Sequence, residues 1–121
     1  MVLSFDLKKL RFKIADKMRF DDPGDFYDNK IVIYSGVENE VYKRAVALHE
    51  FFEAMALDLY QIKPFQIDEW DKFPRNKRPK IYQDAHKYAL KAERLFIKFL
   101  GQDWKTYYDF IKKIKVKVKC N

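Results

Sequence analysis

The chain has 121 residues, a net charge of +7 from 25 Lys and Arg against 18 Asp and Glu, 48 % hydrophobic and 17 % aromatic residues. These values fit one globular domain with its own core and exclude a disordered chain. The single cysteine, Cys120, excludes an internal disulfide and a cysteine zinc finger. No apolar run nears the ~20 residues of a membrane span, and MVLSFDLKKLRF lacks the apolar core of a signal peptide. A cytoplasmic setting without membrane attachment is expected.

The first third reads as short strands and turns. VLSF at 2–5 and LRFKI at 10–14 are strand candidates, the latter alternating apolar and basic residues. DDPGD at 21–25 is a turn cluster, and IVIYS at 31–35 is a β-rich run between Asn29 and Gly36. Asn39 is placed to cap a long helix running to about Tyr60. Residues 61–80 carry three of the four prolines and cannot form one regular helix, so a functional loop or a flap over a cleft is expected there. A second long helix spans about Ile81 to Leu100 and stops at Gly101. Asp103 caps a short third helix, WKTYYDFIKK, and IKVKVK after it alternates like an edge strand or a basic tail.

Polar residues interrupt the first long helix where it should be apolar. Wound at 100° per residue, Tyr42, Ala45, Val46, Phe52, Ala56 and Tyr60 fall within about 60° of His49. Glu53 lies about 40° away on the same face and Glu50 near its edge, while Glu40, Lys43, Arg44 and Asp58 point towards solvent. On the second helix His86 shares an inward stripe with Tyr82, Ala89, Leu90, Ile97 and Leu100, and Glu93 joins it. Buried charges must be paired, neutralised or bound to metal.

Packing the two stripes together brings His49, Glu53 and His86 near one another. Two imidazoles and a carboxylate form a common ligand set for catalytic zinc, with a further position left for water. HEFFE differs from the HExxH of metalloproteases in having Glu53 where the second histidine stands, and His86 completes the set. Zinc or another divalent metal is therefore expected on these three residues. Glu50, off the ligand face, is the candidate general base. Glu93 is expected either to orient His86 from behind or to pair with a basic residue.

Three segments together resemble a family of small uncharacterised proteins of prokaryotic viruses and proviruses: DPGDFYDNKIVIYSG, VALHEFFEA and DAHKYALKAERLFIKFLGQDWKTY. That family has a PGD turn, an HExxEA helix and an HxxAxxxER helix followed by a Leu-Gly-x-Asp-Trp-like segment, and the resemblance covers about residues 21–108. More distantly, a strand, a turn and an HE-bearing helix resemble the ImmA/IrrE-type zinc metallopeptidases. That resemblance implies an intracellular peptidase whose third ligand comes from a later helix, in a setting like DAHKYA; Glu53 is the departure.

The resulting expectation is an α+β, small zincin-like single domain over 1–121. It has N-terminal strands in 1–36, a helical metal-site core in 38–113 and a basic strand or tail in 114–121. The expected function is a minimal zinc-dependent hydrolase acting on a peptide or protein, with IVIYS pairing to an extended substrate by edge addition. One alternative is a helical magnesium-dependent nucleotide hydrolase, which Glu50 and Glu53 favour and Phe96, three residues after Glu93, disfavours. The other is a non-enzymatic binding module, in which Lys112, Lys113, Lys115, Lys117 and Lys119 contact nucleic acid and Trp70 stacks on bases.

Overall fold

The computed structural model describes residues 5–120. Strand β1 (Arg11–Ala15), strand β2 (Gly24–Tyr27) and strand β3 (Lys30–Tyr34) precede helix α1 (Glu40–Leu59). Helix α2 (Pro64–Asp71), a 3₁₀ turn (Arg75–Lys77), helix α3 (Lys80–Phe99) and helix α4 (Trp104–Lys113) follow. This is an α+β architecture, and among the described residues no helix is long and apolar enough to cross a membrane. Most of the strand expected at 2–5 lies outside the described residues, and Phe5 itself is not in a strand.

The sheet order is β1-β3-β2, with β1 parallel and β2 antiparallel to β3. β2 and β3 form a hairpin whose two linking residues, Asp28 and Asn29, both have positive φ, at 50° and 56°. That is the pattern of a tight hairpin turn whose twist suits the flanking strands. The hairpin corrects the sequence reading, which stopped at a turn over 21–25: the strand begins inside that cluster, at Gly24. It also makes β3 the central strand, with neighbours on both sides, so IVIYS has no free edge for a substrate peptide.

The unbroken apolar run of β3 follows from burial on both faces. Ile31 and Ile33 join the main core with Val46, Ala54 and Leu57 of α1 and Tyr82 and Ala85 of α3. Val32 and Tyr34 face a second cluster with Met18, covered by Ile114 and Val116. The C-terminal segment is therefore docked, with its backbone pairing to both sides of Met18 (Met18 N–H to Lys117 O, 2.8 Å; Lys119 N–H to Met18 O, 2.8 Å). Alternation in IKVKVK thus puts Ile114 and Val116 against the sheet and leaves Lys115, Lys117 and Lys119 exposed.

Local chemistry sets the helix ends. The Asn39 side chain accepts the N–H groups of Val41 and Tyr42, and Asp103 accepts that of Thr106. α3 stops at Gly101, φ 73°, where Gly101 N–H bonds Lys98 O and Gln102 N–H bonds Ile97 O. Each proline of 61–80 stands at a helix start: Pro64 is the first residue of α2, and Pro74 and Pro79 cap the 3₁₀ turn and α3.

α1 packs on α3 and on β2 and β3, and this double contact rotates its buried stripe beyond what a wheel centred on His49 implies. Glu50, expected at the rim, is buried, while Phe52 and Tyr60, expected inward, are exposed. Asp58, expected in solvent, is buried and accepts the Phe5 N–H at 3.0 Å. Trp70 packs against the main core beside Tyr82, which removes it as an exposed stacking platform.

Candidate metal centre

Where α1 crosses α3, His49, Glu53 and His86 meet. Nε2 of His49 lies 3.1 Å from Glu53 Oε2, and Nδ1 of His86 lies 3.3 Å from the same oxygen. The two imidazole centroids are 4.8 Å apart, and one ligand atom from each residue falls within 4.8 Å of the others. Such a group could hold a metal ion, and its two nitrogens and one carboxylate suit zinc better than magnesium.

The second nitrogen of His49 fixes the ring. Nδ1 lies 2.7 Å from Glu93 Oε1, and the other Glu93 oxygen accepts the hydroxyl of Tyr107, which is fully buried. Metal-binding histidines commonly carry such a carboxylate, which sets ring orientation and raises ligand basicity. Glu93 therefore backs His49, where the sequence reading paired it with His86 or with a basic residue. Glu93→Gln is expected to weaken zinc affinity about 10–100-fold in competition with a chromophoric chelator. An affinity equal to wild type would remove Glu93 from this role.

Burial makes the electrostatics sharp. His49, Glu50, Glu53 and Glu93 are 9 %, 8 %, 4 % and 5 % exposed. Desolvation lowers the His49 pKa, but hydrogen bonds to Glu53 and Glu93 outweigh it and raise it well above the ordinary imidazole value. Desolvation likewise favours the neutral Glu53 carboxyl, yet the bonds from His49 and His86 hold it down at about 2. His86 is lowered by burial first, with Arg75 and His49 adding to the effect against the opposing bond to Glu53. Without metal, this upward shift favours the protonated His49 ring between the two carboxylates, and a cation at Nε2 would have to displace that proton.

Glu50 differs from its neighbours because it accepts no hydrogen bond and forms no ion pair among the described residues. Burial, then the charges of Glu53 and Asp22, push its pKa well above the carboxylate range. Glu50 lines a cleft of about 790 Å³ bordered by residues of β2, α1, α3 and α4, with His49, Glu53 and His86 among them. The segment expected as a flap supplies one wall through Asp71, Lys72, Arg75 and Arg78. Asp22, not singled out in the sequence, also lines the cleft. Its Oδ1 accepts the Gly24 N–H at 3.0 Å, and burial pushes its pKa up to about 6 against that bond and the pull of His49.

Gly24 explains why a PGD turn stands beside the HE helix. A Cβ on Gly24 would sit 2.7 Å from Glu50 Cγ and Oε1 and 2.8 Å from Val46 Cγ1, closer than real contacts allow. Only glycine lets β2 approach α1 at the level of Glu50. Gly24→Ala is expected to destabilise the protein by about 1–3 kcal/mol in urea unfolding. Unchanged stability would contradict this close packing.

The remaining sequence candidates divide by position. Lys112 lines the cleft from the last turn of α4. Lys113, Lys115, Lys117 and Lys119 are exposed and do not line it. Comparisons with protein-family models, curated proteins and solved structures return no match to this chain. The functional reading therefore stands on the residues and their geometry.

Proposed function

We propose that the protein is a divalent-metal-dependent hydrolase, with His49, Glu53 and His86 holding zinc or a comparable cation and Glu50 acting as general base. The observation that carries this reading is the convergence of His49 Nε2 and His86 Nδ1 on one Glu53 oxygen while Glu93 holds the other His49 nitrogen. A cation held there would supply Lewis acidity and, if zinc, would lower the pKa of water to about 7.

The protein groups divide the remaining work. Glu93, anchored by Tyr107, keeps His49 oriented towards the cleft, and Glu50 takes the proton of the attacking water. An unpaired, nearly buried carboxylate destabilises the fold, and a proton-accepting role accounts for its presence better than a packing role does. A hydrolysis screen of zinc-loaded protein against ester, phosphoester and peptide substrates tests the reading. Turnover of at least one class, dependent on metal and on Glu50, is expected; a fully metal-loaded protein inert towards all three would overturn it.

A further inference from the structure

We propose that the substrate of this cleft is a phosphate ester, whose phosphoryl oxygens are bound by Arg75 and Lys112; this rests on the hydrolase reading of the same site. The cations lining the cleft fall into two kinds. Lys72 is paired with Glu69 at 2.9 Å, and Arg78 donates to Phe73 O and Asp71 O at 3.1 and 3.2 Å and lies 3.8 Å from Asp71 Oδ1. Arg75 and Lys112 have no ion pair or side-chain hydrogen bond among the described residues, and Lys112 Nζ only approaches the Tyr108 ring, 4.8 Å from its centroid.

These two free cations come from different elements, the 3₁₀ turn and α4, and both line the cleft that contains the metal group. Arg75 shares the lining of this cleft with Asp22 and His86. A guanidinium held in no ion pair, on the wall of the cleft that also contains His49, Glu53 and His86, matches the non-bridging oxygens of a phosphoryl group. The cleft volume of about 790 Å³ suits a small phosphoester.

Peptide recognition by strand addition fits the same wall poorly. β2 is an edge strand, and the bond from Tyr34 N–H to Pro23 O sets a register in which the Gly24 and Phe26 N–H groups point away from β3. Both are already taken, Gly24 by Asp22 at 3.0 Å and Phe26 by Asp25 at 2.8 Å. Asp25 is held in turn by Arg19 at 2.8 and 3.1 Å. The edge thus offers a substrate peptide no free donor at these positions.

In the proposed hydrolysis the water oxygen bonds to phosphorus and the ester P–O bond breaks, its electron pair leaving on the ester oxygen. The proton taken by Glu50 passes to that oxygen, giving an alcohol and a phosphate. Arg75 and Lys112 offset the charge on the non-bridging oxygens.

Calorimetric titration with inorganic phosphate, with and without micromolar zinc, tests the anion site. It is run beside turnover of para-nitrophenyl phosphate, para-nitrophenyl acetate and casein. Saturable phosphate binding that weakens about tenfold in Arg75→Ala and in Lys112→Ala, but not in the solvent-facing control Lys87→Ala, is expected, together with metal-dependent phosphoester turnover. Phosphate binding unchanged in Arg75→Ala, or absent, overturns the proposal with or without zinc. Cleavage of casein or acetate but not of the phosphoester overturns it too, while leaving the hydrolase reading intact. Failure to take up zinc sinks the hydrolase reading separately.

Discussion

Replacing Glu53 by glutamine is expected to lower zinc affinity more than ~100-fold, since losing an outer hydrogen-bond partner alone costs about 10–100-fold. One Glu53 oxygen lies within hydrogen-bond distance of both His49 and His86, so the carboxylate is the group on which both rings converge. Glutamine keeps the shape while removing the anion that makes the site attractive to a cation. The fold is expected to survive, because the His49 imidazolium retains Glu93 and is not left without a counter-charge. Zinc competition titrations with a circular dichroism control check this. Affinity within tenfold of wild type would show that Glu53 is not a ligand.

Glu50→Gln is expected to separate activity from stability. Turnover should fall about 10²–10⁴-fold, the usual contribution of a positioned general base, with zinc content unchanged. The metal-free variant should meanwhile be more stable than wild type at neutral pH by about 1–3 kcal/mol, because glutamine removes a buried carboxylate that has no partner. The sign follows from the raised Glu50 pKa: the folded state binds this proton more tightly than the unfolded state. Wild type therefore loses stability as pH rises above the ordinary carboxyl value of about 4 towards the raised one, and below about 4 the advantage of the variant should vanish. Thermal unfolding across pH and initial rates on the metal-loaded enzyme provide the two readouts. A variant that is both active and no more stable would assign Glu50 a structural partner instead.

Much of the helical framework could be read from local signals. Asn39, Asp103 and Gly101 mark helix ends through side-chain and left-handed caps that depend on neighbouring residues alone. The inward placement of His49, Glu53, His86 and Glu93 followed from helical periodicity, because packing two apolar stripes leaves few other arrangements. What was missed depends on contacts between distant segments. Glu50 is buried because α1 lies on the sheet as well as on α3, and Asp58 accepts the Phe5 N–H; a wheel drawn around one residue cannot show either neighbour. The partner of Glu93 depends on the rotation of α3 against α1, which the sequence pattern leaves free.

β2 was hidden by its own start. Asp22, Pro23 and Gly24 read as a turn, although Asp28-Asn29 between FY and IVIY carries a two-residue hairpin signal that would have revealed the strand. That hairpin, with β1 on the other side, makes β3 internal and leaves no edge there for strand addition. Asp22 lines the cleft because Gly24 brings β2 against Glu50, a contact between distant segments.

The proposed metal site lies where α1 crosses α3. The most direct measurement is zinc content, by elemental analysis, of untagged protein stripped with chelator, reloaded and desalted, for wild type and His86→Ala. About one zinc per wild-type chain is expected, with little in His86→Ala and the same circular dichroism spectrum for both. A wild-type chain that takes up no metal, or a variant that takes up as much as wild type, would contradict it.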